Sequence, residues 1–185
     1  MSLNLSLTNG LLACFCVYHA STPNPLVAFL FTGKALMDFV LHFSRVVPMK
    51  IDFCLLHVLL LLWSVHYVRV HPIIHSHPAH QTWWTCLNLA EVSSIFLSLL
   101  DVDRYHPILS KRWKRMVRIL FATTFVYFRL VGHLYLHLSS LQEYTYLVSM
   151  VAGRMHAHVF QLSMHAFFAL NLYWGCKLIR FLLQR

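Results

Sequence analysis

The sequence is poor in the residues that break or cross-link a chain, and poorer still in acidic ones. Gly and Pro number only 5 and 6 in 185 residues. With no Ser- or Gln-rich tract and no shift of composition, linkers are excluded and a single domain, 1–185, is expected. The five cysteines, Cys14, Cys16, Cys54, Cys86 and Cys176, are odd in number and show neither CxxC nor Cys-His spacing. A zinc finger is thereby excluded, and buried free thiols are expected in their apolar surroundings. No GxSxG, Walker or dinucleotide motif occurs, and no Cys and His spacing points to a thiol hydrolase. Charge is scarce too: 11% of the residues are charged against 58% hydrophobic, more apolar surface than one small water-soluble core can bury. The formal charge of +9 is spread between apolar segments rather than massed on one polar helix, so it speaks for membrane topology and not for nucleic acid.

What the sequence does have is apolar runs of bilayer length, about 17 to 20 residues or more. Runs at 26–43, 51–68, 83–100, 116–138 and 157–182, and a more polar one at 3–20, predict an all-α polytopic bundle of about six transmembrane helices. A cleaved signal peptide is the alternative for 3–20, although no positive region precedes its apolar part. Ten of the fifteen Lys and Arg, among them Arg45, Lys50, Arg104, Lys111, Arg112, Lys114, Arg115 and Lys177, then fall on one side, and only Arg69 and Arg154 on the other. Basic residues in short loops stay cytoplasmic, so both termini are expected there. Trp83, Trp84, Tyr144, Tyr146 and Trp174 stand near predicted span ends, where amphipathic rings prefer the headgroup layer.

A charge at mid-bilayer costs roughly 2.5–3.5 kcal/mol on insertion scales, so ionisable residues inside spans face the bundle interior and find partners. Lys34 and Asp38, four apart, share a helical face and would neutralise each other. Asp52 opens the second span, where a carboxylate also complements the helix dipole, with His57 deeper. Asn88, Glu91, Ser94 and Ser98 form a polar stripe on the third span. Glu91 has no local cation; Arg129 on the fourth span is its expected mate, either as a packing tie or as part of a site. Arg129, His133 and His137 follow at intervals of four, and His158, Gln161 and His165 mark the last span; together they predict a polar-lined cavity.

Between the second and third spans lies a segment with His71, His75, His77 and His80. Imidazoles bind zinc, copper and iron. The histidine boxes of di-iron membrane lipid oxidases include HxxxH, which His71 and His75 match, and HxxHH, which is missing here, and those boxes face the cytoplasm. The competing expectation is a partly solvated loop, with no metal and no cofactor.

Four segments together resemble the TLC domain, the multi-span unit of translocon-associated TRAM proteins, ceramide synthases, a ceroid-lipofuscinosis membrane protein and TLC-domain lipid regulators. They are Gly33 to Asp38 (GKALMD), Asp52 to His57 (DFCLLH), Glu91 to Leu99 (EVSSIFLSL) and Leu170 to Trp174 (LNLYW) followed by Arg180. The resemblance is closest to the lipid regulators. It implies an endoplasmic reticulum or related endomembrane protein of lipid homeostasis, acting on membrane lipid composition or on ceramide and sphingolipid metabolism. Membrane lipid would be its partner, and association with itself or another chain stays open. Asp38, Glu91, Arg129, His133, His165 and Asn171 would line its cavity. The alternative the resemblance implies is a ceramide-synthase-like N-acyltransferase using acyl-CoA, with His57 as base and Asp52 orienting it. Ceramide synthases, however, carry a paired histidine where His57 here is followed by Val58. A trafficking or translocation partner is the third reading.

Overall fold

In a computed structural model, residues 3–21 and 51–183 are described, with residues 26, 27, 30, 33, 34, 36, 37 and 40 between them. The expected span 26–43 therefore lies mostly outside the described residues, and so does Asp38 of the Lys34–Asp38 pair. Among the described residues the chain is all-helical, without strands. Helix α1 is Leu3–Tyr18, α2 Ile51–Ile74, α3 Pro78–Leu89, α4 Val92–Tyr105 and α5 Lys111–Thr124; a π-helical segment, Phe125–Val131, leads into α6, Gly132–Ser139, followed by α7, Leu141–Ala152, and α8, Arg154–Leu183.

Among the described residues three helices are long and apolar enough to cross a membrane: Cys54–Ile74, Pro78–Tyr105 and Lys111–Ser139. The second and third contain the expected spans 83–100 and 116–138, and the first covers all but the first three residues of 51–68. The second runs through α3 and α4 with a break at Ala90–Glu91, and the third through α5, the π segment and α6. The apolar part of α1, Ser6–Tyr18, is shorter than these. Helix α8 is 30 residues long but is interrupted by polar residues such as His158, Gln161 and His165.

Packing follows from the small and aromatic residues. Helix α1 lies on α4, and at Gly10 the approach is close enough that a Cβ would sit 3.2 Å from Cβ of Ser98. Helix α8 packs on both α2 and α7. Their shared core holds Val70, Trp83, Leu136, Tyr144, Phe160 and Met164. Trp83, Trp84 and Tyr144 are thus core residues rather than headgroup anchors. Two of them bring their polar atoms to partners inside the bundle: Trp84 donates to the carbonyl of His19 at 2.9 Å, and the Tyr144 hydroxyl lies between two imidazoles. A buried ring whose polar atom is satisfied has no need of the interface.

The histidine segment is less of a loop than its sequence suggests. Helix α2 continues through His71 to Ile74, the turn occupies only a few residues, and His80 is already inside α3. His77 caps α3, its Nδ1 accepting from the amide of Ala79 at 3.2 Å, with Pro78 at the first helical position where its missing N–H costs nothing. All five cysteines are free thiols.

Candidate functional site

Two polar arrangements lie inside the bundle. The first is centred on Arg129. The helix break at Ala90–Glu91 leaves the Ala90 carbonyl free of its usual i+4 partner, and across from it the π segment widens the other helix. Just before that segment the Thr124 hydroxyl donates to the carbonyl of Leu120 at 2.7 Å, a back-bond that accommodates irregular helix. Arg129 sits inside the π segment. Its Nε donates to the Ala90 carbonyl at 3.2 Å and to Oγ of Ser93 at 2.9 Å. A terminal nitrogen donates to Glu91 at 3.1 Å and to Ser94 at 2.7 Å. The expected Glu91–Arg129 ion pair is therefore present, with Ser93, Ser94 and a main-chain carbonyl completing it. Beside it Glu91 and Asn88 reach a narrow apolar slot of about 50 Å³ between Leu59, Leu60, Leu87 and Phe167. Four hydrogen bonds on one guanidinium make this junction a pin between two irregular helices.

The other predicted residues are dispersed. His133 is buried one turn beyond Arg129, its Nδ1 against the Arg129 carbonyl at 2.8 Å. His137 repeats the pattern on the His133 carbonyl at 2.9 Å. Asn171 is fully buried, and its amide atoms are among those without a hydrogen-bond partner among the described residues. His165 is exposed, its ring 5.1 Å from that of His137. His57 is buried. Asp52 accepts from Nε1 of Trp174 at 3.0 Å and from Nζ of Lys177 at 3.4 Å, which ties the start of α2 to the end of α8. Five residues separate it from His57, so the two side chains leave α2 roughly 140° apart.

The second arrangement is a hydrogen-bonded chain that crosses four helices. Nε2 of His156 (α8) lies 3.1 Å from Nδ1 of His66 (α2), and Nε2 of His66 lies 3.1 Å from the Tyr144 hydroxyl (α7). That hydroxyl is also 2.9 Å from Nδ1 of His80 (α3), whose Nε2 is 3.0 Å from Nδ1 of His71 (α2). The three central members are at most 2% exposed, and the two ends are half-buried. Stacking holds the planes: His66 lies between Trp63 and Phe160, with centroids 5.4 and 4.0 Å away. Among the described residues no three His, Cys, Asp or Glu side chains gather as a metal ion would require.

The chain ends in a cleft. Between α2 and α8 a cavity of about 350 Å³ is walled by Leu62, Val65, Val159 and Phe160, and at one end by His66, Arg69 and His156. Because the two helices run antiparallel there, Arg69 near the end of α2 meets His156 in the first turn of α8. Burial, and then the Arg69 cation, hold the His156 imidazole below the usual histidine range. Sequence reasoning missed His66, Arg69, Tyr144 and His156 as a group. No spacing links residues from three helices; only the histidine-rich segment hinted that imidazoles collect at this end.

Neither the protein-family models, nor the curated proteins, nor the solved structures with which the chain was compared match it.

Proposed function

We propose that this is a multi-pass membrane protein of lipid homeostasis, with about six spans and both termini in the cytoplasm of an endomembrane such as the endoplasmic reticulum. Its ligand is a membrane lipid seated in the cleft between α2 and α8. The observation that carries this reading is the amphipathic shape of that cleft: apolar side chains along most of its length, His66, Arg69 and His156 gathered at one end, and the one other polar lining group, the Ser163 hydroxyl, turned back onto the Phe160 carbonyl. An acyl chain fits the first part and a headgroup the second, as ligand sites combine apolar walls with a few placed polar groups. The TLC-like segments support the same reading from the sequence. The Glu91–Arg129 junction ties α4 to the π segment and is not among the residues that line the cleft.

Lipidomics of cells lacking the protein, complemented at equal abundance with the native chain or with Val159→Trp, tests this. Tryptophan at this exposed wall position fills the cleft, and the expected result is an altered lipid profile in the null cells that the native chain corrects and Val159→Trp does not. An unchanged profile in the null cells would sink the lipid reading and leave a trafficking role. The acyltransferase alternative, with His57 as base, makes a separate demand: His57→Ala must abolish the correction while ceramide synthesis falls.

A further inference from the structure

We propose that the polar end of the α2–α8 cleft selects lipids whose phosphate headgroup is net anionic, with Arg69 and His156 as the headgroup ligands. This rests on the lipid reading above and names the ligand class of the same cleft.

Charge argues first. Arg69 and two imidazoles line the polar end, and no carboxylate is among the lining residues. Glu143, the acidic residue of the first turn of α7, is exposed and is not among them. Met155 and His156 belong to the first turn of α8, where main-chain amides lack helical acceptors and the helix dipole favours negative charge. A guanidinium fork, an imidazole and these amides offer more donors than the two oxygens of a carboxylate accept together, whereas a phosphate takes them with three.

Geometry argues second. His156 uses Nε2 within the histidine chain, which leaves Nδ1 as its one ring atom for a ligand. If Nδ1–H donates to an anion, Nε2 must accept from His66 Nδ1–H. His66 Nε2 then accepts from the Tyr144 O–H, Tyr144 from His80 Nδ1–H, and His80 Nε2 from His71 Nδ1–H. Every ring stays neutral and every link has one proton, so the chain has a polarity that an anion at its cleft end stabilises. The apolar walls argue third: Val65, Met155 and Val159 are exposed beside the headgroup end, where acyl chains would lie.

The test is native mass spectrometry of the full chain, purified in mild detergent and incubated with equimolar phosphatidylcholine and phosphatidic acid of the same acyl chains. In a parallel arm oleate replaces phosphatidic acid. The expected result is retention of phosphatidic acid over phosphatidylcholine by about tenfold, the scale of one charge-assisted hydrogen bond. Arg69→Gln should erase the preference without reducing phosphatidylcholine retention, and Arg69→Lys should keep part of it. Equal retention of the two phospholipids overturns the headgroup assignment while leaving the lipid reading intact. Retention of oleate with no phospholipid preference overturns the phosphate assignment. A preference that survives Arg69→Gln overturns the role of Arg69. Failure to retain any lipid overturns both this inference and the reading beneath it.

Discussion

At the scale of single residues, the strongest expectations concern polar groups that cannot return to water. Arg129 is 8% exposed and its charge is balanced by Glu91. Arg129→Met leaves a half-buried carboxylate and two serine oxygens without their donor and the Ala90 carbonyl with the Ser93 hydroxyl alone, and removing one partner of a buried pair costs about 3–5 kcal/mol. Glu91→Gln, which keeps a carbonyl oxygen for the guanidinium, should cost less. The double variant should cost less than the sum, which thermal unfolding in detergent and a double-mutant cycle measure. Additive costs would mean that the pair is not coupled. Tyr144→Phe is a second case: it removes the hydroxyl that His66 and His80 share, both fully buried, and each unsatisfied nitrogen costs about 1–3 kcal/mol. His156 adds a pH dependence. Its folded value lies below the ordinary 6.5, so the unfolded chain binds the extra proton first; the stability it contributes is complete above 6.5 and is lost as pH falls from there through the folded value. The native chain should therefore lose more thermal stability between pH 7.5 and 5.5 than His156→Gln does, and identical losses would remove His156 as a contributor.

At the scale of elements, hydropathy and helical phase made much of the architecture legible and its irregularities illegible. The runs at 51–68, 83–100 and 116–138 fall on the three long helices because bilayer-length apolar segments have no other way to satisfy their backbone. The interval of thirty-eight residues between Glu91 and Arg129 carried no periodic signal; the pair was legible only because each charge needed a mate. The break at Ala90 and the π segment around Arg129 were not legible. The carbonyl that the break frees at Ala90 is met by Arg129 of the π segment, a side chain on the other helix. Helix α7 was missed for a different reason. At 12 residues it is too short to register as a span, and what fixes it is the burial of Tyr144 and Val148. The contact of α1 with α4 gives this scale its own prediction. Gly10→Val places branched carbons where a Cβ alone would meet Ser98 at 3.2 Å, so the helices must separate. The unfolding temperature should drop, by about the 1–3 kcal/mol that overpacking costs, and Ser98→Gly in the same chain should restore part of it. No rescue would show that the Gly10 requirement lies elsewhere.

At the scale of the whole molecule, the two ends of the bundle differ in chemistry, and this fixes what orientation must look like. Arg104, Lys111, Arg112, Lys114 and Arg115 cluster around the connection between α4 and α5. Asp103 organises that connection: it accepts from the amides of Ile108 and Leu109 at 3.0 and 2.8 Å and pairs with Lys114. The imidazoles and Arg69 gather at the opposite end, beside the turn between α2 and α3. A single apolar helix, Pro78–Tyr105, separates the two, so if it crosses the bilayer the turn and the basic connection lie on opposite sides. The positive-inside rule then assigns the basic connection to the cytoplasm and the polar end of the cleft to the far leaflet. Single cysteines test this in a chain whose exposed Cys14 and Cys176 are replaced by serine, at Ser76 in the turn and at Ile108, which is 62% exposed in the connection. With only the plasma membrane permeabilised, an impermeant maleimide should label Ile108→Cys and leave Ser76→Cys untouched until the internal membranes are opened. Labelling of both positions from one side would mean that Pro78–Tyr105 does not span. Labelling of Ser76→Cys alone would invert the molecule, and the cleft would then present Arg69 to the cytoplasmic leaflet.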